Sequence, residues 1–312
     1  MVNRNTRIVF MGTPEFAVPS LQYLVEAGYP VVAVVTVPDK LGGRGMKQVL
    51  TSPIKTFAQE NGIPVLQPTN LKSSSFLNEL RLFQADLQVV VAFRMLPEAV
   101  WNMPSIGTLN LHGSLLPAYR GAAPIQRAIM AGEKLTGVTT FLLQHEIDTG
   151  NILLQQEVAI LPDDDAGALH DRMMIIGARV IVSTVDLLTS GDIQPQPQDE
   201  TKVSYAPKIH HEDGKIEWTE PVDRIYNKIR GLSPYPGAYT LVNGRECKIW
   251  RAKIYSNKST VTPGQIRVID HRLIVQTMNG ELELLEIQLS GKKRMPARDI
   301  INGYPVQNWT MT

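Results

Sequence analysis

Three residues near the middle of the chain carry groups that together can handle a carbonyl carbon under attack: Asn110, His112 and Asp148. Asn110 and His112 stand two apart in Leu109-Asn110-Leu111-His112, at the end of an apolar run that starts at Ile106. Side chains two apart on a strand share one face. Gly113 and Ser114 then supply a turn, and Pro117 stops regular structure. An amide and an imidazole thus project together from the C-terminal end of a strand, where open α/β sheets take their ligands. Asp148 lies on a turn, with Thr149 and Gly150, just after the apolar run 138–143. A carboxylate there can orient an imidazole and favour its cationic form. Two donors beside a carboxylate suit stabilisation of an oxyanion in a tetrahedral intermediate. The plainer alternative for an isolated Asn-x-His is that both side chains satisfy nearby loop backbone.

The longer pattern is more specific. Asn110-Leu-His112-Gly-Ser-Leu-Leu-Pro117, followed by Arg120-Gly-Ala-Ala-Pro-Ile-Gln126 and by Asp148-Thr-Gly150, resembles the formyltetrahydrofolate-dependent formyltransferases, and the likeness extends over nearly the whole chain. Within that family it is most similar to the branch that acts on charged initiator tRNA. The resemblance implies transfer of a formyl group from 10-formyltetrahydrofolate, as co-substrate, to the α-amino group of initiator methionyl-tRNA, with no metal and no nucleotide cofactor. It makes Asn110, His112 and Asp148 the catalytic set. Ser114, Leu115, Leu116 and Pro117, with Phe93 and Arg94, become the donor-binding set. Two departures from the family pattern stand out: the turn 93–97 is one residue shorter and has Arg94 in place of glycine, and Ala118 replaces a common arginine.

The elements that must position these residues alternate. Residues 7–11 read as a buried parallel strand, followed by Gly12 for a turn, Thr13 as N-cap and Pro14 at the first helical position. No Gly-x-Gly-x-x-Gly follows, which disfavours a dinucleotide enzyme. Strands are expected at 31–37, 65–66, 87–92, 138–143 and 152–158, with helices at 53–61, 74–83, 125–130 and 166–188. Asp163, Asp164 and Asp165 precede the last of these and suit its N-terminal dipole better than a metal, since no downstream ligand set accompanies them. The stretch 191–207, rich in Pro, Gln and Asp, reads as an extended linker. Beyond it come a helix at 222–229 and five short strands, with Asn243-Gly244 and Asn279-Gly280 as hairpin turns. The expected fold is α/β: a Rossmann-like domain with an open parallel sheet over 1–191, a linker over 192–211, and a small β-barrel over 212–312, which the resemblance implies to be OB-like.

Charge separates the two parts. Residues 1–212 hold 16 Lys and Arg against 20 Asp and Glu, a net of −4, whereas 213–312 hold 15 against 10, a net of +5. A basic C-terminal part can attract a polyanion, although an ordinary solvated surface is equally consistent with that excess. Lys248, Arg251 and Lys253 alternate with apolar residues along one strand, and Lys292-Lys293-Arg294 adds a basic turn. A glycine-rich loop carrying Lys40, Arg44 and Lys47 follows the second strand; it is no P-loop, because no Gly-Lys-Ser/Thr ends it. In the family a loop at that position engages the acceptor arm of tRNA, and the resemblance raises Arg44 to a candidate RNA contact; with Lys40, Lys47 and the six C-terminal cations it makes up the expected tRNA-binding set.

A single cysteine, Cys247, excludes an internal disulfide framework. No apolar run long enough for a bilayer and no secretory core are read, so a cytoplasmic monomer with no membrane partner is expected. Ser114 lacks a Gly-x-Ser-x-Gly elbow, which argues against a serine hydrolase. The rivals left open are a formyltransferase for a small acceptor, a formyltetrahydrofolate hydrolase, and a non-catalytic RNA-binding protein.

Overall fold

Strand β1 (Ile8–Gly12) is buried along its whole length and lies inside a seven-stranded sheet. The computed structural model describes residues 2–42, 45, 48–258 and 262–312, with backbone only at Asn308. Arg44 and Lys47 lie outside the described residues. The chain forms two compact units: one contains residues up to 121 with 137–158 and 170–205, and the other contains 122–136, 159–169 and 206–312.

In the first unit β1 pairs in parallel with β2 (Val31–Val35) and β6 (Leu87–Val91). On one side β5 (Val65–Leu66) adds to β2; on the other, β7 (Gly107–His112) adds to β6. Beyond β7 the sheet departs from the open parallel sheet expected. Strand β8 (Leu135–Leu142) runs antiparallel to β7, and β9 (Ile152–Ala159) follows it at the edge. The turn 143–151 returns the chain directly from β8 to β9, with no room for a crossover helix. Phe10 and Phe141 are fully buried, each worth about 1.5–3 kcal/mol of apolar transfer.

Helices α1 (Val18–Glu26), α2 (Pro53–Glu60), α3 (Ser74–Leu82) and α4 (Glu98–Trp101) join the parallel strands. Ser52 and Ser73 cap α2 and α3 through their hydroxyls, as short polar side chains do at helix starts. The expected Thr13–Pro14 helix start does not form. Pro14 is extended, a 3₁₀ turn occupies Glu15–Ala17, and α1 begins at Val18 with Pro19 in its first turn. Gly12 is needed there because a Cβ would stand 2.8 Å from the Ala17 Cβ. The loop after β2 contains a small hairpin, β3 (Lys40–Gly42) against β4 (Gln48–Leu50), anchored by Asp39, which accepts from Lys55 at 2.5 Å and Gln67 at 2.9 Å.

Helix α6 (Ala166–Ser190) corrects the reading that no run is long enough for a bilayer: by length and composition alone it is. Its Met173, Ala178, Ile181 and Val185 are nevertheless fully buried, and Gly177 packs on the Leu111 side chain. One side of it is thus packed into the core.

In the second unit α5 (Pro124–Ala131) lies on α7 (Val222–Gly231), so closely that a Cβ at Gly231 would meet Met130 Cγ at 2.7 Å. The sheet runs β10 (Ala238–Val242), β11 (Arg245–Ser256), β14 (Glu281–Leu289), β13 (Arg272–Gln276), β12 (Ile266–Ile269), with β15 (Met295–Pro296) beside β14 and α8 (Ala297–Gly303) after it. Neighbouring strands in this order run antiparallel, as expected for an OB-like unit. Asn243 and Gly244 turn the first hairpin with φ of 49° and 75°. Asn279-Gly280 lies, as expected, in the turn 277–280 that joins β13 to β14, closed by the Thr277 N–H on the Gly280 carbonyl at 2.9 Å but without left-handed residues; Asn279 Oδ1 also accepts the Val222 N–H at 2.8 Å at the start of α7. The second left-handed turn is Asp270-His271, with φ of 48° and 60°.

Candidate active site

Strand β7 delivers Asn110 and His112 to one face at the C-terminal end of the first unit's sheet. Asn110 is half-buried, and among the described residues its side-chain amide makes no hydrogen bond. His112 is 6% exposed and held from both sides. Its Nε2 lies 2.8 Å from the Tyr119 carbonyl oxygen, which can only accept, so Nε2 carries a proton. Its Nδ1 faces Asp148 Oδ2 at 3.7 Å. One ring nitrogen is thus hydrogen-bonded, and the other faces a carboxylate just beyond hydrogen-bond length.

Asp148 is itself fixed. It is buried, with a left-handed φ of 57°, which aspartate tolerates better than most residues. The Gly121 N–H donates to its Oδ2 at 2.8 Å. Gly150 must be glycine, because a Cβ there would overlap the Leu142 carbonyl oxygen. Loop 113–121 is pinned by Thr139, whose hydroxyl donates to the Ser114 carbonyl at 2.6 Å and accepts the Leu116 N–H at 3.1 Å. Gln155 donates to the Leu116 carbonyl at 2.9 Å.

The stretch read as a linker is tied into this site. Ser204 accepts the Tyr119 N–H through its hydroxyl at 2.9 Å and the Arg120 N–H through its carbonyl at 2.9 Å. Gln198 donates to the carbonyls of Asp148 at 2.7 Å and Gly150 at 2.9 Å. Arg120 is 6% exposed and donates to Gln198 Oε1 and to Glu200. Its guanidinium holds the Glu200 carboxyl below the ordinary carboxylate range. Sequence reading missed Thr139, Gln155, Gln198 and Ser204. Thr139 adjoins Thr140 on β8 and Gln155 opens the polar run 155–157 on β9, so no alternation sets either on the site's face, and nothing local marks the last two.

The donor-binding set divides. Ser114 is fully buried with its hydroxyl donated to the Ala118 carbonyl at 2.6 Å, and Leu116 is 3% exposed. Leu115, Pro117 and Phe93 are half-buried, and Leu115 packs on Gly137. Arg94 turns to the carbonyls of Pro68 and Thr69, with its guanidinium over the Phe93 ring, and burial lowers its pKa.

On β11 a bulge at Trp250 changes which residues face out: Ile249 pairs with Ile287 but Arg251 with Glu286. Cys247 and Ile249 point into the core before the bulge, and Ala252 and Ile254 pack on it afterwards. Lys248, Arg251 and Lys253 therefore share the outer face. Lys248 donates to the Pro236 carbonyl at 2.8 Å, Lys253 pairs with Glu283 at 3.1 Å, and Arg294 pairs with Glu286. Among the described residues Lys40, Arg251, Lys292 and Lys293 make no side-chain ion pair, and all four are exposed.

Comparison with known proteins places this arrangement. The family model described as formyl transferase matches residues 6–185, and that of the formyl transferase C-terminal domain matches 208–305. The methionyl-tRNA formyltransferase of Parabacteroides distasonis is 48% identical over 315 residues, covering 97% of each chain. Among solved structures, WlaRD, a sugar 3N-formyl transferase crystallised with dTDP and 5-N-formyl-THF, shares the fold at a TM-score of 0.68 and 20% identity, covering 92% of this chain and 99% of that one. HypX from Aquifex aeolicus in complex with tetrahydrofolic acid matches at a TM-score of 0.67 and 17% identity; 97% of this chain is covered, but only 48% of HypX, so the chain spans about half the length of that protein. On the two family models, matched in order, and the 48% identity across almost all of both chains, this chain belongs to the formyl transferase family.

Proposed function

We propose that the protein transfers the formyl group of 10-formyltetrahydrofolate to the α-amino group of methionine on initiator methionyl-tRNA, acting as a monomer in the cytoplasm in support of translation initiation. The observation that carries the chemistry is the pair of donors at the end of β7, the Asn110 amide, which has no partner among the described residues, and the His112 imidazole facing Asp148. The choice of acceptor rests on the relatives named methionyl-tRNA formyltransferase, which match along both units.

The amine nitrogen attacks the formyl carbon, a C–N bond forms, and the carbonyl π pair moves onto oxygen. Asn110 donates one hydrogen bond to that oxyanion. The His112 Nε2–H supplies the second by exchanging the Tyr119 carbonyl for the substrate oxygen. The Asp148 carboxylate, facing Nδ1 at 3.7 Å, keeps the ring oriented while this happens. Collapse of the intermediate breaks the bond to the folate nitrogen, which takes up the proton lost by the amine, with Asp148 and a water able to relay it. The donor lies against Leu115, Pro117 and Phe93. The exposed cations Lys40, Arg251, Lys292 and Lys293 face the tRNA backbone, and the Lys248, Lys253 and Arg294 charges, offset by their partners, contribute less.

The test offers 10-formyltetrahydrofolate with charged initiator tRNA, a purine-precursor amine, an amino-sugar nucleotide, or water alone as acceptor. Formylation of the charged tRNA at least a hundredfold faster than of the others is expected; equal or faster transfer to a small amine would overturn the acceptor assignment.

A further inference from the structure

We infer that Gln198 is a positioning residue for the reaction, acting through Asp148; this rests on the formyl-transfer reading of the site. A glutamine amide has two acceptor sites on oxygen and two N–H donors. At Gln198 all four are used. Its Oε1 accepts from Arg120 Nε at 3.1 Å and from Arg120 Nη2 at 2.7 Å, and its Nε2 donates to the Asp148 and Gly150 carbonyls at 2.7 and 2.9 Å. The amide has one workable orientation. Turned over, it would set N–H against the guanidinium and oxygen against two carbonyls, losing all four bonds.

The consequence lies at His112. Asp148 holds a left-handed backbone conformation, and its carbonyl and that of Gly150, on either side of Thr149, are the two groups that Gln198 grips. Ser204, six residues further along the same stretch, grips Tyr119 and Arg120. One segment, 198–204, thus sets both acceptors of the imidazole, the Asp148 carboxylate on Nδ1 and the Tyr119 carbonyl on Nε2. Arg120, nearly inaccessible to solvent, locks the amide. A plain tether between loops would need only a strong bond to Arg120, whereas a device that aims Asp148 needs the donors as well.

Gln198→Glu separates the two. Glutamate is isosteric and pairs more strongly with Arg120, so a tether would be kept or reinforced. Its carboxylate would, however, face the Asp148 and Gly150 carbonyls with no donor and push the loop away. Steady-state formylation of initiator methionyl-tRNA by the full chain is measured, with thermal melting as a check on folding. For Gln198→Glu, kcat is expected to fall tenfold or more, with KM for both substrates within twofold of the parent. Gln198→Met, which removes the amide without adding charge, should show the same split and stands in if the glutamate variant does not fold. A kcat within twofold of the parent, or a loss confined to KM, would overturn the assignment. If the parent protein itself formylates no charged tRNA, the functional reading fails instead.

Discussion

The end of β7 and the outer face of β11 both present polar side chains on a strand, but they are held in opposite ways. At β7, the buried His112 ring sits between two acceptors, and the groups that fix those acceptors are a backbone N–H, the half-buried Ser204 hydroxyl and the half-buried Gln198 amide. Little is left to move except the Asn110 amide, which has no partner among the described residues. On β11 the charges are exposed, and two of the basic side chains around it lean on glutamates of β14. Burial with full satisfaction produces a fixed geometry, which chemistry at a carbonyl requires. Exposed pairs are each worth little and can be exchanged for phosphate, which suits binding of a mobile polyanion. Removing one group should therefore cost much at β7 and little at β11.

The largest effect is expected from His112→Ala, a loss of about 10²–10³ in turnover with the fold retained, measured as formylation at saturating substrates alongside a melting curve. Asp148→Asn keeps the shape and removes the charge; turnover should drop roughly a hundredfold, and an unchanged rate and pH profile would detach Asp148 from the mechanism. Gly150→Ala forces a methyl onto the Leu142 carbonyl, and overpacking of this kind costs about 1–3 kcal/mol, visible as a lower denaturation midpoint. Changing Arg251, Lys292 and Lys293 together to alanine should leave turnover at saturating tRNA intact. For every phosphate left without its cation, the dependence of log affinity on log salt should flatten by about 0.7–0.9. A preserved salt slope would remove this face from the RNA interface.

The smallest effect concerns Asp39 at the foot of the β3–β4 hairpin. Hydrogen bonds from Lys55 and then Gln67 lower its pKa. Because the folded value lies below the unfolded one, this stabilisation is present above the unfolded pKa of about 3.9 and is lost as pH falls through the folded value. The gap in melting temperature between the parent and Asp39→Asn should narrow on acidification over that window; a gap independent of pH would show that the ionised carboxylate contributes nothing.

What the sequence discloses follows from the range of the interactions involved. Apolar periodicity and serine caps mark α2 and α3, and β-branched runs mark β1, β2 and β6, because those signals are local. The pair Asn110 and His112 is legible for the same reason, being two residues apart on one strand. Gln198 and Ser204 are not, since a Pro- and Gln-rich stretch has the composition of a linker and its bonds reach back 48 to 85 residues. The Trp250 bulge is equally hidden: alternation counted straight through it would set Lys248 and Arg251 on opposite faces. At Thr13 a local rule is outweighed by context, since a 3₁₀ turn occupies Glu15–Ala17, whereas at Asn279 the hairpin turn forms but its side chain also serves α7. The compact units also interleave along the chain, with α5 packed on α7, which no composition shift announces.

The account depends most on the open amide at the end of β7. Single-turnover formyl transfer by Asn110→Ala, with donor and charged initiator tRNA both saturating and both dissociation constants measured separately, tests it directly. The prediction is a rate lowered by about 10²–10³ with both dissociation constants within twofold of the parent. A rate within threefold of the parent, or a loss that lies entirely in binding, would contradict the claim that Asn110 stabilises the oxyanion.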